Sequence, residues 1–76
     1  MPVKKMFCSR LKTLRIAHKV TLDGLGQALG VTRQAASRWE TGERLPSIDY
    51  IEGIADYFGV SIDYLVGRTD KPEINR

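Results

Sequence analysis

Apolar side chains recur along this chain at helical spacing, and glycine and proline interrupt the recurrence at short intervals. Phe7, Leu11 and Leu14 fall at i, i+4 and i+7, with Ala17 three further on, which predicts one apolar stripe on a helix over about residues 5–18. Thr21 is placed to cap a second helix, Leu22 to Leu29, which Gly30 ends. Thr32 caps a third, Arg33 to Thr41, with Gly42 to stop it. Leu45-Pro46-Ser47 makes an extended entry, because the residue before a proline is pushed away from helix. Ser47 then caps a fourth helix, with Asp49 and Glu52 well placed against its dipole, and Gly59 ends it. Ser61 opens a short last helix, Ile62 to Val66, closed by Gly67. No segment alternates with period two long enough to read as a strand. The pattern predicts an all-α domain of five short helices over residues 1–68, followed by a flexible C-terminal tail, 69–76.

The fourth helix carries two apolar stripes. Ile48, Ile51, Ala55 and Phe58 are assigned to the core. Tyr50, Ile54 and Tyr57 form the second, with Tyr64 adjoining. A single-domain monomer needs only one such face, so the second is a candidate two-fold dimer contact. The competing reading is that the Tyr rings cover the edge of the core with their hydroxyls in water.

Composition narrows the function. A chain of 76 residues is one domain, and its single Cys8 forms no internal disulfide. With only His18 beside that cysteine, a zinc site is not expected, nor is any other cofactor or small-molecule ligand. No run of about 18 apolar residues would span a membrane, and MPVKKMFCSR lacks the apolar stretch of a secretory signal, so a cytoplasmic protein is expected. The net charge of +3 hides a polarised chain. Residues 1–38 hold eight Lys/Arg against Asp23 alone, whereas residues 39–76 hold four basic and eight acidic side chains. A basic half of this kind suits a polyanion, most simply nucleic acid. Ser, His and Cys lack partners for nucleophilic catalysis, and no phosphate loop follows a strand, so enzymatic activity is not expected. Asp49, Glu52 and Asp56 read as a solvated face, and Cys8 as a quiet thiol rather than a redox sensor.

Residues 22–41 carry the strongest signal. Two helices crossing steeply through a tight turn need apolar residues at Leu25 and Leu29 on the first and at Ala36 and Trp39 on the second. They also need a very small residue at the crossing, which is Gly26, and one tolerant of positive φ in the turn, which is Gly30. On a wheel with Arg33 at 0°, Ser37 falls at about 40°, Gln34 at about 100° and Arg38 at about 140°, while Ala36 and Trp39 lie on the opposite side. Two Arg, one Gln and one Ser on one face are suited to base edges: Arg to guanine O6 and N7, Gln to adenine N6 and N7, Ser to either.

With these residues in view, the chain resembles the Cro and phage-repressor type of helix-turn-helix DNA-binding domain, the lambda-repressor-like fold, over about residues 6–69. The match is carried by Arg10-Leu-Lys-Thr-Leu-Arg15, Leu25-Gly-Gln-Ala-Leu-Gly-Val-Thr, Ser37-Arg-Trp-Glu-Thr-Gly42, Leu45-Pro-Ser and Phe58-Gly-Val-Ser-Ile-Asp-Tyr-Leu-Val-Gly67. The resemblance implies that the helix 33–41 lies in the major groove with Arg33, Gln34, Ser37 and Arg38 reading bases. It implies phosphate contacts at Thr21, Thr32, Thr41 and Arg44, although Thr21 and Thr32 also read simply as caps. It implies a structural ion pair between Arg15 and Glu40. Two positions depart from the family: Leu22 stands where Gln is common, removing an expected phosphate brace, and Lys19 replaces a frequent Gly where positive φ would strain it.

The implied function is a sequence-specific regulator of transcription, most simply a repressor, binding double-stranded DNA at a pseudo-palindromic operator as a homodimer. The alternative on the same scaffold is an antitoxin or other protein-interaction module.

Overall fold

The computed structural model describes residues 3–74. They form five helices: α1 (Val3–Ala17), α2 (Leu22–Leu29), α3 (Arg33–Thr41), α4 (Ile48–Phe58) and α5 (Ile62–Leu65). No strand occurs among the described residues. The helix ends follow the local chemistry closely. Thr21, Thr32 and Ser61 each have extended backbone and accept from the amide three residues on, at 2.9, 3.1 and 3.0 Å. Ser47 has the same extended backbone but makes no side-chain cap bond, so its expected capping role reduces to its φ and ψ.

The stops are equally local. At the end of α1, Lys19 N–H donates to Ile16 and Val20 N–H reaches back to Arg15, with Lys19 held at a φ of 57°. This is the paired-bond stop usually built around glycine, and the strain expected of Lys19 is present. Gly30, at φ 72°, ends α2 in the same manner, with Val31 N–H donating to Gly26.

The core draws on every helix. Phe7 and Leu11 of α1, Leu25 of α2, Ala36 and Trp39 of α3, and Leu65 of α5 surround Ile51, Ile54, Ala55 and Phe58 of α4. Through it α1 packs on α3 and α5, α2 on α3 and α4, and α4 on α5. Leu14 lies at the rim of this core, but Ala17 is exposed and takes no part in the stripe expected of it.

The buried face of α4 corrects the two-stripe reading. Ile54 is fully buried, whereas Ile48 is 64% exposed. The apolar face is therefore rotated by about 30° from the expected one. Ile48 is the first helical residue after an extended entry and lies outside the packed layer; Ile54, in mid-helix, takes its place. Ile54 is thus removed from the candidate dimer contact. Tyr50 and Tyr57 stay exposed on the flank, Tyr50 against Trp39 at 5.4 Å between ring centroids and Tyr57 against Phe58 at 5.0 Å.

Residues 69–74 lie against the body of the domain in the structure. The Arg10 guanidinium on α1 donates to the carbonyl oxygens of Tyr64 and Thr69 and to the Asp70 carboxylate, and lies 4.2 Å from the centroid of the Tyr64 ring. Further on, Pro72 accepts from Ser61 N–H at 2.9 Å. The segment is thereby laid back across the start of α5. Tyr64, the fourth candidate for a dimer contact, is half-buried beneath Arg10. The last two residues of the expected tail lie outside the described residues.

Candidate nucleic-acid interface

The motif α2-turn-α3 is held together where Gly26 meets the turn. A Cβ at Gly26 would lie 2.7 Å from the Val31 carbonyl oxygen and 3.2 Å from the Thr32 carbonyl carbon. Both are backbone atoms, so the approach admits no side chain. Gly24 has a subtler reason. Its amide donates to Thr21 Oγ1, and a Cβ there would sit 3.2 Å from that same oxygen, crowding the cap. Leu22, where the family commonly has Gln, packs partly against the core. The departure exchanges a polar brace for apolar contact.

This frame presents α3 with its two faces well separated. Ala36 and Trp39 are buried, and Arg33, Gln34 and Arg38 are exposed, with Ser37 half-exposed between them. Arg15 fixes α3 from behind: its Nε and one terminal nitrogen both donate to the Glu40 carboxylate, the latter at 3.1 Å, and its other terminal nitrogen donates to the Val20 carbonyl at 3.0 Å. Both side chains are nearly buried. The bidentate geometry sets the rotation of α3 about its own axis, and so the direction in which the exposed face points.

The four candidate phosphate contacts differ in what they can donate. Thr21 and Thr32 accept from Gly24 and Ala35, so each hydroxyl proton is free to go to a phosphate oxygen while the cap stays intact. Capping and phosphate contact are therefore compatible at these positions. Thr41 differs, since its hydroxyl donates to the Arg38 carbonyl at 3.2 Å and would have to break that bond first. Arg44 is exposed and makes no ion pair among the described residues. Residue patterns did not single out Glu43, whose carboxylate lies 3.8 Å from Arg38 Nε. Its approach depends on a loop closure that no spacing announces. No helix among the described residues is long and apolar enough to cross a membrane, and no cluster among them suits a metal ion.

A charged, hydrogen-bonding helix face held rigidly at a helix-turn-helix defines the class of protein. The helix-turn-helix family signature matches residues 11–65, and the chain belongs to that family, in the Cro and phage-repressor type. It is 35% identical over 68 residues to the uncharacterised HTH-type transcriptional regulator YobD of Bacillus subtilis, covering 90% of this chain and 61% of that protein. It is similar also to the HTH-type transcriptional activator BcrR of Enterococcus faecalis, 35% identical over 60 residues, 79% of this chain and 29% of the relative. A third relative is the cryptic phage CTXphi transcriptional repressor RstR of Vibrio cholerae, 26% identical over 65 residues, 86% of this chain and 59% of the relative. The chain spans less than two thirds of the length of each of these three proteins. No solved structure matches it at comparable significance.

Proposed function

We propose that the protein is a sequence-specific, double-stranded-DNA-binding regulator of transcription that reads the major groove with α3. One observation carries the reading: Arg33, Gln34 and Arg38 project from the face of α3 opposite buried Ala36 and Trp39, with none of the three committed to the core. Side chains of these types discriminate bases, and the capped N-termini of α2 and α3 supply the hydroxyls and dipoles that suit phosphates on either side. Relatives named as an activator and as a repressor both resemble the chain; repression, by occluding a promoter, is the simpler action for a small domain.

The protein acts in the cytoplasm as a homodimer on a pseudo-palindromic operator. Exposed Tyr50 and Tyr57 on the flank of α4 support a two-fold contact there. Selection of bound duplexes from a randomised pool at about physiological salt tests both parts, because backbone-only binding is weak there. The expected product is a palindrome with half-sites about 10 bp apart. Recovery of single half-sites would remove the dimer, and an unenriched pool would remove sequence reading altogether.

A further inference from the structure

The two arginines of α1 are committed to the fold, and its lysines are not. Val3–Ala17 carries five basic side chains and no acidic one. Arg10 holds residues 69 and 70, and Arg15 holds Glu40. Lys5 and Lys12 are exposed, as is Lys19 just beyond the helix, and none of the three is in an ion pair among the described residues. On a wheel with Arg15 at 0°, Lys12 falls at about 60° and Lys5 at about 80°, while buried Phe7 and Leu11 lie at about 280° and 320°. Cys8, at about 20°, faces the loop after α3; a Cβ at Gly42 would lie 3.8 Å from its Sγ. On α3 the contact with α1 falls at Glu40, with Ala36 and Trp39 toward the core and Arg33 and Ser37 on the other side. On both helices, then, the core lies to one side of the Arg15–Glu40 bond. Lys12 and Lys5 share the surface on its other side with Arg33 and Ser37.

We propose that Lys5, Lys12 and Lys19 form a second phosphate-binding surface, set beside the reading face of α3 and separate from the helix caps. The proposal rests on α3 lying in the major groove. That groove is about 12 Å wide, and packed helices lie about 8–10 Å apart. α1, packed on α3, is thus over one wall of the groove, where the phosphates run. Lys5 and Lys12 are about 10 Å apart along the helix, so each meets its own phosphate. Lys19 stands two residues before Thr21 and keeps a φ of 57° that glycine would adopt freely. No ion pair within the described residues offsets that strain, and a phosphate partner gives it a reason. Lysine suits the task. Its ammonium is a point charge on a flexible stem, which meets phosphate without fixed geometry and reads no base.

The test measures affinity across a salt series for the duplex recovered from the randomised pool and for a scrambled duplex of the same length and composition. Lys5→Gln with Lys12→Gln is compared with Arg68→Gln with Lys71→Gln. The second pair removes the same charge next to the segment that Arg10 holds, about 140–160° around α1 from the lysines. All four side chains are exposed, so folding is preserved. For the lysine pair, the slope of log affinity against log salt is expected to fall by about two on both duplexes. Affinity at about 0.1 M salt drops at least about tenfold. The preference between the duplexes changes by less than about twofold, because phosphates carry no sequence. In the second pair the slope changes by less than about 0.5. Lys19→Gly raises the thermal midpoint yet lowers affinity, with a slope smaller by about one. A lysine with no DNA contact would not weaken binding while its removal relieves strain. An unchanged slope in the lysine pair, an equal fall in the second pair, or wild-type binding by Lys19→Gly would overturn the proposal. A wild type that enriches no duplex removes base reading, and the slope on scrambled DNA still decides the lysines. A wild type that discriminates, with slopes unaltered in the lysine variants, removes only the lysine surface.

Discussion

Gly26 faces the Val31 carbonyl across a gap that leaves no room for a methyl group, and Lys19 holds a backbone angle that its side chain resists. Both make predictions at the scale of one residue. Gly26→Ala should destabilise the fold by about 1–3 kcal/mol, as overpacking against immovable backbone does, in a urea titration. Gly24→Ala should stay within about 1 kcal/mol of the wild type, because a rotatable hydroxyl can yield and alanine favours helix. Equal losses at the two sites would mean that the crossing is not tight. Lys19→Gly should stabilise by about 1 kcal/mol, raising the thermal midpoint, by relieving the left-handed angle. The need for glycine at position 26 is legible in the sequence, since the spacing of Leu25, Gly30 and Ala36 leaves one place for the helices to cross. The need at Gly24 is not, because it arises from the distance between a Cβ and a hydroxyl that is already capping.

At the scale of the element, α3 is defined by a cap at one end, a left-handed stop at the other, and an ion pair behind. Removing one partner of that pair strands a nearly buried charge, so Glu40→Ala should cost about 3 kcal/mol. Arg15→Met with Glu40→Leu should recover most of the loss in the same unfolding measurement, if apolar packing fills the space. On DNA the two kinds of contact should separate. Arg38→Ala should lose about 1–3 kcal/mol of discrimination at one base position, whereas Thr21→Ala should weaken binding to all sequences alike. Titrations against the selected duplex and its single-base variants read both, and uniform loss for Arg38→Ala would refute base reading. Helix boundaries were readable because Thr, Ser and Gly act on their own few residues. The buried face of α4 was not: Ile48 and Ile54 are the same residue type on adjoining stripes, and only the docking of α4 against the other helices decides between them.

Across the whole molecule, Arg10 joins residues 54 to 60 positions apart. Arg10→Ala should release the segment 69–74. Loss of charge-assisted bonds to two carbonyls is worth about 2 kcal/mol. Amide exchange at Ser61, which donates to Pro72, should accelerate selectively, while the Ala35 amide capped by Thr32 stays protected. Asp70→Ala should cost less than about 0.5 kcal/mol, because its carboxylate is almost wholly in water. If Ser61 exchange is unaltered in Arg10→Ala, the segment is held by something else. Composition made 69–76 look like a tail, with proline and charge and little to bury. The contacts that residues 69 and 70 make come from a guanidinium near the other end of the sequence, and contacts of that separation leave no periodic trace.

The division of α3 into a buried face and an exposed one has a further consequence. Ala36, Trp39 and Glu40 carry the obligations of the fold, while Arg33, Gln34 and Arg38 carry none of them. On the proposed reading of α3, the recognised sequence is a replaceable alphabet written on a fixed page. New operators would then be reached by exchanging exposed side chains of that face, with stability left behind as a spectator, and two such proteins could diverge in every target while sharing one architecture.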